Sequence, residues 1–265
     1  VDRRRNAVWR LAADTLRYAA GPEEGPPSLR PLPPGRVECV GDALHALYAP
    51  PEGEVGLSWE LAPDHVCVRL RVVGEAIRSV AVPGVFRPDE GRARLLLSPY
   101  QGVLYLGGAD PWEEVRPGGA HGNLSLSMSA VLSDRAALML TAEDLADWFA
   151  QFGDSAEGPF LVFRLDRCPA EGWYEREVRL YPVGTSVTAI ARRYRARLIE
   201  RGEFVGWQEK VARKPVLENL FGALIAFIGY NKSSSTDYVG GAESIRRMGF
   251  DRALYYPVRM CNYSL

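Results

Sequence analysis

The chain has 265 residues, 47% of them hydrophobic and 25% charged, with 32 basic against 33 acidic side chains. That is material for one large domain or two ordinary ones, and the balanced charge argues against a nucleic-acid binder. No apolar run reaches the length of about 18 residues that a membrane span needs, so a soluble protein is expected. Cys39, Cys67, Cys168 and Cys261 stand far apart without a CxxC pair, and His45, His65 and His121 show no paired ligand spacing. A zinc ribbon, a histidine-built metal site, a dense disulfide framework and a bound cofactor are therefore not expected. The chain opens on Val1 and stops at Leu265, which reads as part of a longer protein, cytoplasmic or secreted.

In residues 4–20, Val8, Leu11, Thr15, Leu16 and Ala19 recur at helical spacing and predict an N-terminal helix. Residues 21–35 carry Pro22, Pro26, Pro27, Pro31, Pro33 and Pro34 and predict an extended connector. From 36 to 184 short β-type runs alternate with turn residues, at 66–73, 93–97, 102–106, 124–132, 136–141, 160–165 and 175–181. Many short strands at close spacing predict an antiparallel β-sandwich. Residues 141–152 read either way, because Thr141 and Asp144 suit a helix start while Trp148 and Phe149 suit a strand.

The pattern changes at 185. Thr185 and Ser186 offer N-cap hydroxyls, and Val187, Ile190, Ala191, Tyr194 and Leu198 form one apolar helical stripe that ends at Gly202. Arg192, Arg193, Arg195, Arg197 and Arg201 surround that stripe and read as a solvated face. A second helix is predicted over 207–220, broken or kinked at Pro215. Together these make a helical linker, 185–221.

Residues 222–230, GALIAFIGY, are a continuous apolar run of the kind a strand buried on both faces needs. Ser233 to Asp237 are N-cap types, Asp237 reading as a cap rather than a catalyst. Val239, Ala242, Ile245 and Met248 follow at helical spacing, and Gly249 sits at the C′ position. Residues 253–258 make a second strand. The whole is one βαβ unit with a right-handed crossover, and such a unit needs further strands to bury its sheet. The expected order is mainly β: sandwich, helical linker, then the start of a truncated (β/α)8 barrel over 222–265.

The run from Tyr181 to Tyr230 resembles the passage from an N-terminal galactose-mutarotase-like supersandwich to the catalytic barrel of large glycoside hydrolases. Its elements are the helix at 185–195 (TSVTAIARRYR), Gly202, Trp207 to Lys210, and Pro215 before Gly222-Ala223; upstream, SPYQGVLY at 98–105 is similar to a strand pair of such sandwiches. The resemblance is to relatives of the endo-α-N-acetylgalactosaminidases within the α-glucosidase and α-galactosidase assemblage. It implies a carbohydrate substrate, α-linked, and a retaining mechanism with one carboxylate attacking the anomeric centre and another protonating the leaving oxygen. Both carboxylates are expected on later barrel strands, beyond Leu265.

Barrel active sites form at the carboxyl ends of strands. That makes Tyr230, Asn231 and Lys232 after the first strand, and Arg259, Asn262 and Tyr263 after the second, candidate sugar contacts, since Asn and Lys hydrogen-bond hydroxyls and Tyr stacks on a pyranose face. From the sandwich, Trp112 is a further candidate and Tyr100 and Tyr105 could also reach the barrel mouth, with core or loop packing as the alternative for each of the three. Glu113-Glu114 read as solvated loop acids. Walker A, Rossmann and G-x-S-x-G signatures do not occur. The rival class is a non-catalytic carbohydrate-binding or interaction β-sandwich module, and a barrel lyase or isomerase is a third. The oligomeric state is open.

Overall fold

The computed structural model describes residues 9–12, 16–21, 30–33, 35–82, 85–88, 93–98, 103–106, 113–114, 126–143, 148–155, 158–165, 172–228 and 238–257. The chain forms two compact units, Val1–Tyr194 and Arg195–Leu265.

The first unit is built of strands. In chain order they are β1 (Trp9–Ala12), β2 (Arg17–Ala20), β3 (Arg30–Pro31), β4 (Arg36–Val40), β5 (Ala43–Tyr48), β6 (Glu54–Leu61), β7 (Val66–Val73), β8 (Ile77–Val82) and β9 (Val85–Pro88). There follow β10 (Arg94–Leu97), β11 (Val103–Tyr105), β12 (Glu113–Glu114), β13 (Met128–Leu132), β14 (Ala137–Ala142), β15 (Trp148–Ser155), β16 (Gly158–Leu165) and β17 (Trp173–Val183). Two sheets face each other. One has nine strands in the order β11-β10-β13-β14-β17-β7-β6-β5-β4, the other six in the order β12-β15-β16-β8-β2-β3. All their pairings are antiparallel, as the sequence pattern predicted.

Strand alternation places the core. From the nine-stranded sheet Val55, Leu57, Val68, Leu70, Val72, Leu138, Leu140, Val178 and Leu180 point inward, and they meet Tyr18, Ile77, Val80, Phe152, Leu161 and Phe163 of the six-stranded sheet. Successive residues of a strand face opposite ways, so the intervening Arg69, Arg71, Glu175, Glu177 and Arg179 fall on the outer face of the nine-stranded sheet.

The N-terminal helix predicted over 4–20 is corrected: its described residues form β1 and β2. Leu16 and Tyr18, both almost fully buried, point into the core while Arg17 pairs with Ala81 of β8. Helical spacing of the apolar residues loses here to pairing with a strand sixty positions away, a tertiary effect that local periodicity does not carry. The predicted connector also joins the sheet at β3, which pairs with β2 and tolerates Pro31 at its edge. The sandwich thus begins before residue 36. The ambiguous 141–152 segment resolves as strand β15 from Trp148 onward.

Helix α1 (Val187–Glu200) starts at Ser186, whose hydroxyl accepts a hydrogen bond from the Ala189 amide at 3.1 Å. Its Ile190 and Tyr194 are buried, and the Tyr194 hydroxyl meets Ser127 at 3.0 Å. It ends in a Schellman motif, with Gly202 at φ 70° and the Glu203 amide bonded to the Leu198 carbonyl at 2.9 Å. In the second unit α2 (Trp207–Arg213) is followed by a 3₁₀ turn over Pro215–Leu220, which is the predicted break. Next come β18 (Leu224–Ile228), α3 (Tyr238–Arg247) and β19 (Ala253–Pro257). β18 and β19 pair in parallel, Leu224 with Ala253 through Ile228 with Pro257, and Gly249 at φ 91° closes α3 as predicted.

The 222–230 run is suited to a strand covered on both faces, and in this chain part of its apolar surface is open. Ile225 is 60% exposed and Leu254 44%. Among the described residues β18 has one strand neighbour, β19.

Candidate functional site

The outer face of the nine-stranded sheet changes character from one end to the other. Under β13, β14 and β17 it is apolar, with Ala130, Met139 and Tyr181 fully buried. Tyr181 lies beneath the Arg193 guanidinium of α1, 4.2 Å from its ring centre, and beside the His65 ring. Arg193 also binds Asp64 at 2.7 Å, and Asp64 accepts from His65 Nδ1 at 2.7 Å. The His65 hydrogen bond, helped by the charge of Arg193, holds the Asp64 carboxyl below its ordinary pKa despite burial. This arginine of the predicted solvated face is therefore part of the packing between α1 and the sheet.

Toward the middle of the same face runs a ladder of charges. Glu60 on β6 binds Arg69 on β7 at 2.6 Å, and Arg69 reaches Glu177 on β17 at 3.4 Å. Arg179 binds Glu177 at 2.6 Å and Glu143 at 3.5 Å. Strand register makes this possible: Glu177 stands opposite Arg69, and Arg179 opposite Cys67. Burial alone would raise the Glu177 pKa, but the hydrogen bond and charge of Arg179, with a contact from the Cys67 thiol, bring it below the ordinary value. Burial likewise opposes the charge on Arg179, yet Glu177, Glu143 and Tyr181 outweigh it and hold Arg179 firmly cationic. The Cys67 thiol, desolvated and facing the Glu177 carboxylate, is pushed up to about 11, so it stays protonated and inert at neutral pH.

Beyond the ladder the face opens into a groove of about 370 Å³ across β4, β5, β6, β7 and β17. Two cross-strand rows line it. Arg36, Leu47, Gly56, Arg71 and Glu175 form one, and Glu38, His45, Ser58 and Arg69 form the next. Gly56, lacking a side chain, makes the floor. Guanidinium, carboxylate, imidazole and hydroxyl groups above such a floor can donate to and accept from a polyol. Among the described residues no group of three or more His, Cys, Asp or Glu side chains could hold a metal ion. No helix of the described residues is long and apolar enough to cross a membrane.

The predicted sugar contacts Trp112, Tyr230, Asn231, Lys232, Arg259, Asn262 and Tyr263 all lie outside the described residues, as do Tyr100 and Asp237. Tyr105 packs edge-on against Phe152 at 5.5 Å, which favours its packing role. Glu113 and Glu114 form β12 against β15 rather than a loop. The groove and the ladder escape the sequence reading. Their trace in the sequence is the alternation of Arg69 and Arg71 in β7 with Glu175, Glu177 and Arg179 in β17, visible as function only once the two strands are known to be neighbours.

No family model matches the chain, and no curated protein matches it. Solved structures do. The ligand-free α-N-acetylgalactosaminidase NagBb from Bifidobacterium bifidum superposes with a TM-score of 0.67 at 17% identity, covering 94% of this chain and 50% of that one. Its complex with GalNAc gives a TM-score of 0.60 at 18% identity over 84% of this chain and 42% of that one. A GH31 family sulfoquinovosidase from E. rectale aligns over 89% of this chain and 36% of its own at 11% identity, with a TM-score of 0.44. These structural neighbours are glycoside hydrolases, and the chain shares the fold of NagBb over about half the length of that enzyme.

Proposed function

We propose that this chain forms the N-terminal part of a glycoside hydrolase acting on α-linked glycosides. The observation that carries the proposal is the joint likeness of sandwich and βαβ unit to one enzyme, an α-N-acetylgalactosaminidase, at 94% coverage of this chain. The sandwich is a galactose-mutarotase-like supersandwich in this reading, and β18, α3 and β19 open a (β/α)8 barrel. A two-stranded parallel sheet cannot bury its own faces, which supports a sheet that continues beyond it.

The chemistry then belongs to later barrel strands. Two carboxyl groups about 5–5.5 Å apart give retention, one forming the glycosyl-enzyme bond and the other giving its proton to the leaving oxygen. The loops after β18 and β19 contribute sugar contacts from Tyr230, Asn231, Lys232, Arg259, Asn262 and Tyr263, with Trp112 as a sandwich contribution. The test is hydrolysis of aryl α-N-acetylgalactosaminide and aryl α-galactoside by the longer protein, with the first-formed anomer read by NMR. Turnover with an α product is expected, and no turnover of any aryl α-glycoside overturns the proposal. Residues 1–265 alone are expected to be inactive.

A second reading, a non-catalytic carbohydrate-binding module, is favoured by the open polar groove on the outer sheet face. It expects residues 1–265 to bind a glycan array while the longer protein turns nothing over.

A further inference from the structure

Strand β4 is exposed along its whole length. It ends the nine-stranded sheet with β5 as its one neighbour among the described residues, and all five of its residues are exposed. Val37 is 57% exposed and Val40 59%, an apolar load that a solvated edge does not ordinarily carry. The hairpin fixes which backbone groups are free. Val40 and Ala43 flank the two-residue turn Gly41-Asp42, and such a flanking pair exchanges both its hydrogen bonds. By alternation Arg36 and Glu38 also turn their backbone toward β5, opposite Leu47 and His45, while Val37 and Cys39 turn theirs to the open edge.

We propose that this edge pairs with β4 of a second copy of the chain, antiparallel about a two-fold axis at Val37. The charges choose both the partner and the register. Centred on Val37, the pairing sets Arg36 of each copy against Glu38 of the other, two opposite-charge pairs on one face. Centred on Glu38 it opposes two carboxylates, and centred on Arg36 two guanidinium groups. Centred on Cys39 it leaves Glu38 facing Val40 and sets Arg36 against Asp42, which belongs to the turn and not to the strand. In the Val37 register the free amides and carbonyls of Val37 meet each other, and those of Cys39 meet Gly35. The Arg36–Glu38 contact within one strand, at 2.9 Å, is exchanged for two across the axis. Arg36 and Glu38 also line the groove, so the two grooves meet at the axis and a ligand long enough can span both.

The experiment is sedimentation velocity of the 265-residue chain over a concentration series, with four variants. A reversible dimer is expected. Glu38→Arg and Arg36→Glu each place like charges across the axis and should raise the dissociation constant about tenfold or more. The double swap Arg36→Glu with Glu38→Arg restores opposite pairs and should restore the dimer. Val37→Pro deletes an edge-side amide without touching the β5 pairing and should give monomer with unchanged far-UV dichroism. Oxidation of a Val37→Cys, Cys39→Ser chain should trap a disulfide dimer, because the two residues 37 are directly opposite. A monomer at all concentrations, or association that survives both charge reversals, overturns the proposal.

Discussion

Two strands of similar apolar character meet opposite fates in this molecule. β14, with the sequence ALMLTA, lies between β13 and β17, and every one of its side chains is buried. Leu138 and Leu140 enter the sandwich core, while Met139 is covered from the other face. β18, with the sequence LIAFI, has one strand neighbour among the described residues, and its Ile225 stands mostly in solvent. The apolar content of a strand states how much covering it needs; the number and order of its neighbours decides how much it receives. The first unit meets that need within itself. In the second, Ile245 is the buried hydrophobic residue among those described, with Val216, Phe221, Val239 and Met248 all exposed.

The largest expected effect follows from this contrast. Leu140→Ala removes buried methyl groups from the core cluster and should cost about 2–5 kcal/mol in equilibrium unfolding. The matched Ile225→Ala, on an exposed side chain, should change the same transition by no more than about 0.5 kcal/mol. Comparable losses at both positions would mean that β18 is covered as fully as β14.

The charge ladder gives a smaller and pH-dependent effect. Arg179→Met keeps the apolar stem but leaves Glu143 and Glu177 facing each other, and should cost about 1–3 kcal/mol near neutral pH. Glu177 is held below its ordinary pKa of 4.5 in the folded chain. Its contribution is therefore complete above about 4.5 and is lost as pH falls through the lower folded value. In Arg179→Met that favourable interaction is gone, so denaturant melts at pH 7 and pH 3 should show the difference from the parent chain shrinking in acid.

What could be read in the sequence follows the range of the forces involved. β7 is legible to the residue over 66–73, because its alternation is a local property. The caps of α1 and α3 are equally local, and Ser186, Gly202 and Gly249 act where their chemistry predicts. The N-terminal segment is misread because its partner β8 lies sixty residues away, and apolar spacing there suits a helix as well as a strand. Residues 148–152 stay ambiguous for the same reason until β16 pairs with them. The groove is harder still. Arg36, Ser58, Arg71 and Glu175 converge only through the register of five strands, and no motif in the chain marks them. The sugar-contact candidates follow from the strand ends that the local apolar runs mark.

The contrast between a covered sandwich and a βαβ unit with exposed Ile225 and Leu254 predicts two levels of stability in one chain. Native-state hydrogen exchange of the 265-residue chain, read residue by residue, tests it directly. The backbone amides of β7, β14 and β17 should exchange only through global unfolding, and those of β18 and β19 through local opening at much lower free energy. Equal protection in β18 and β14, rising and falling together with denaturant, would contradict the account.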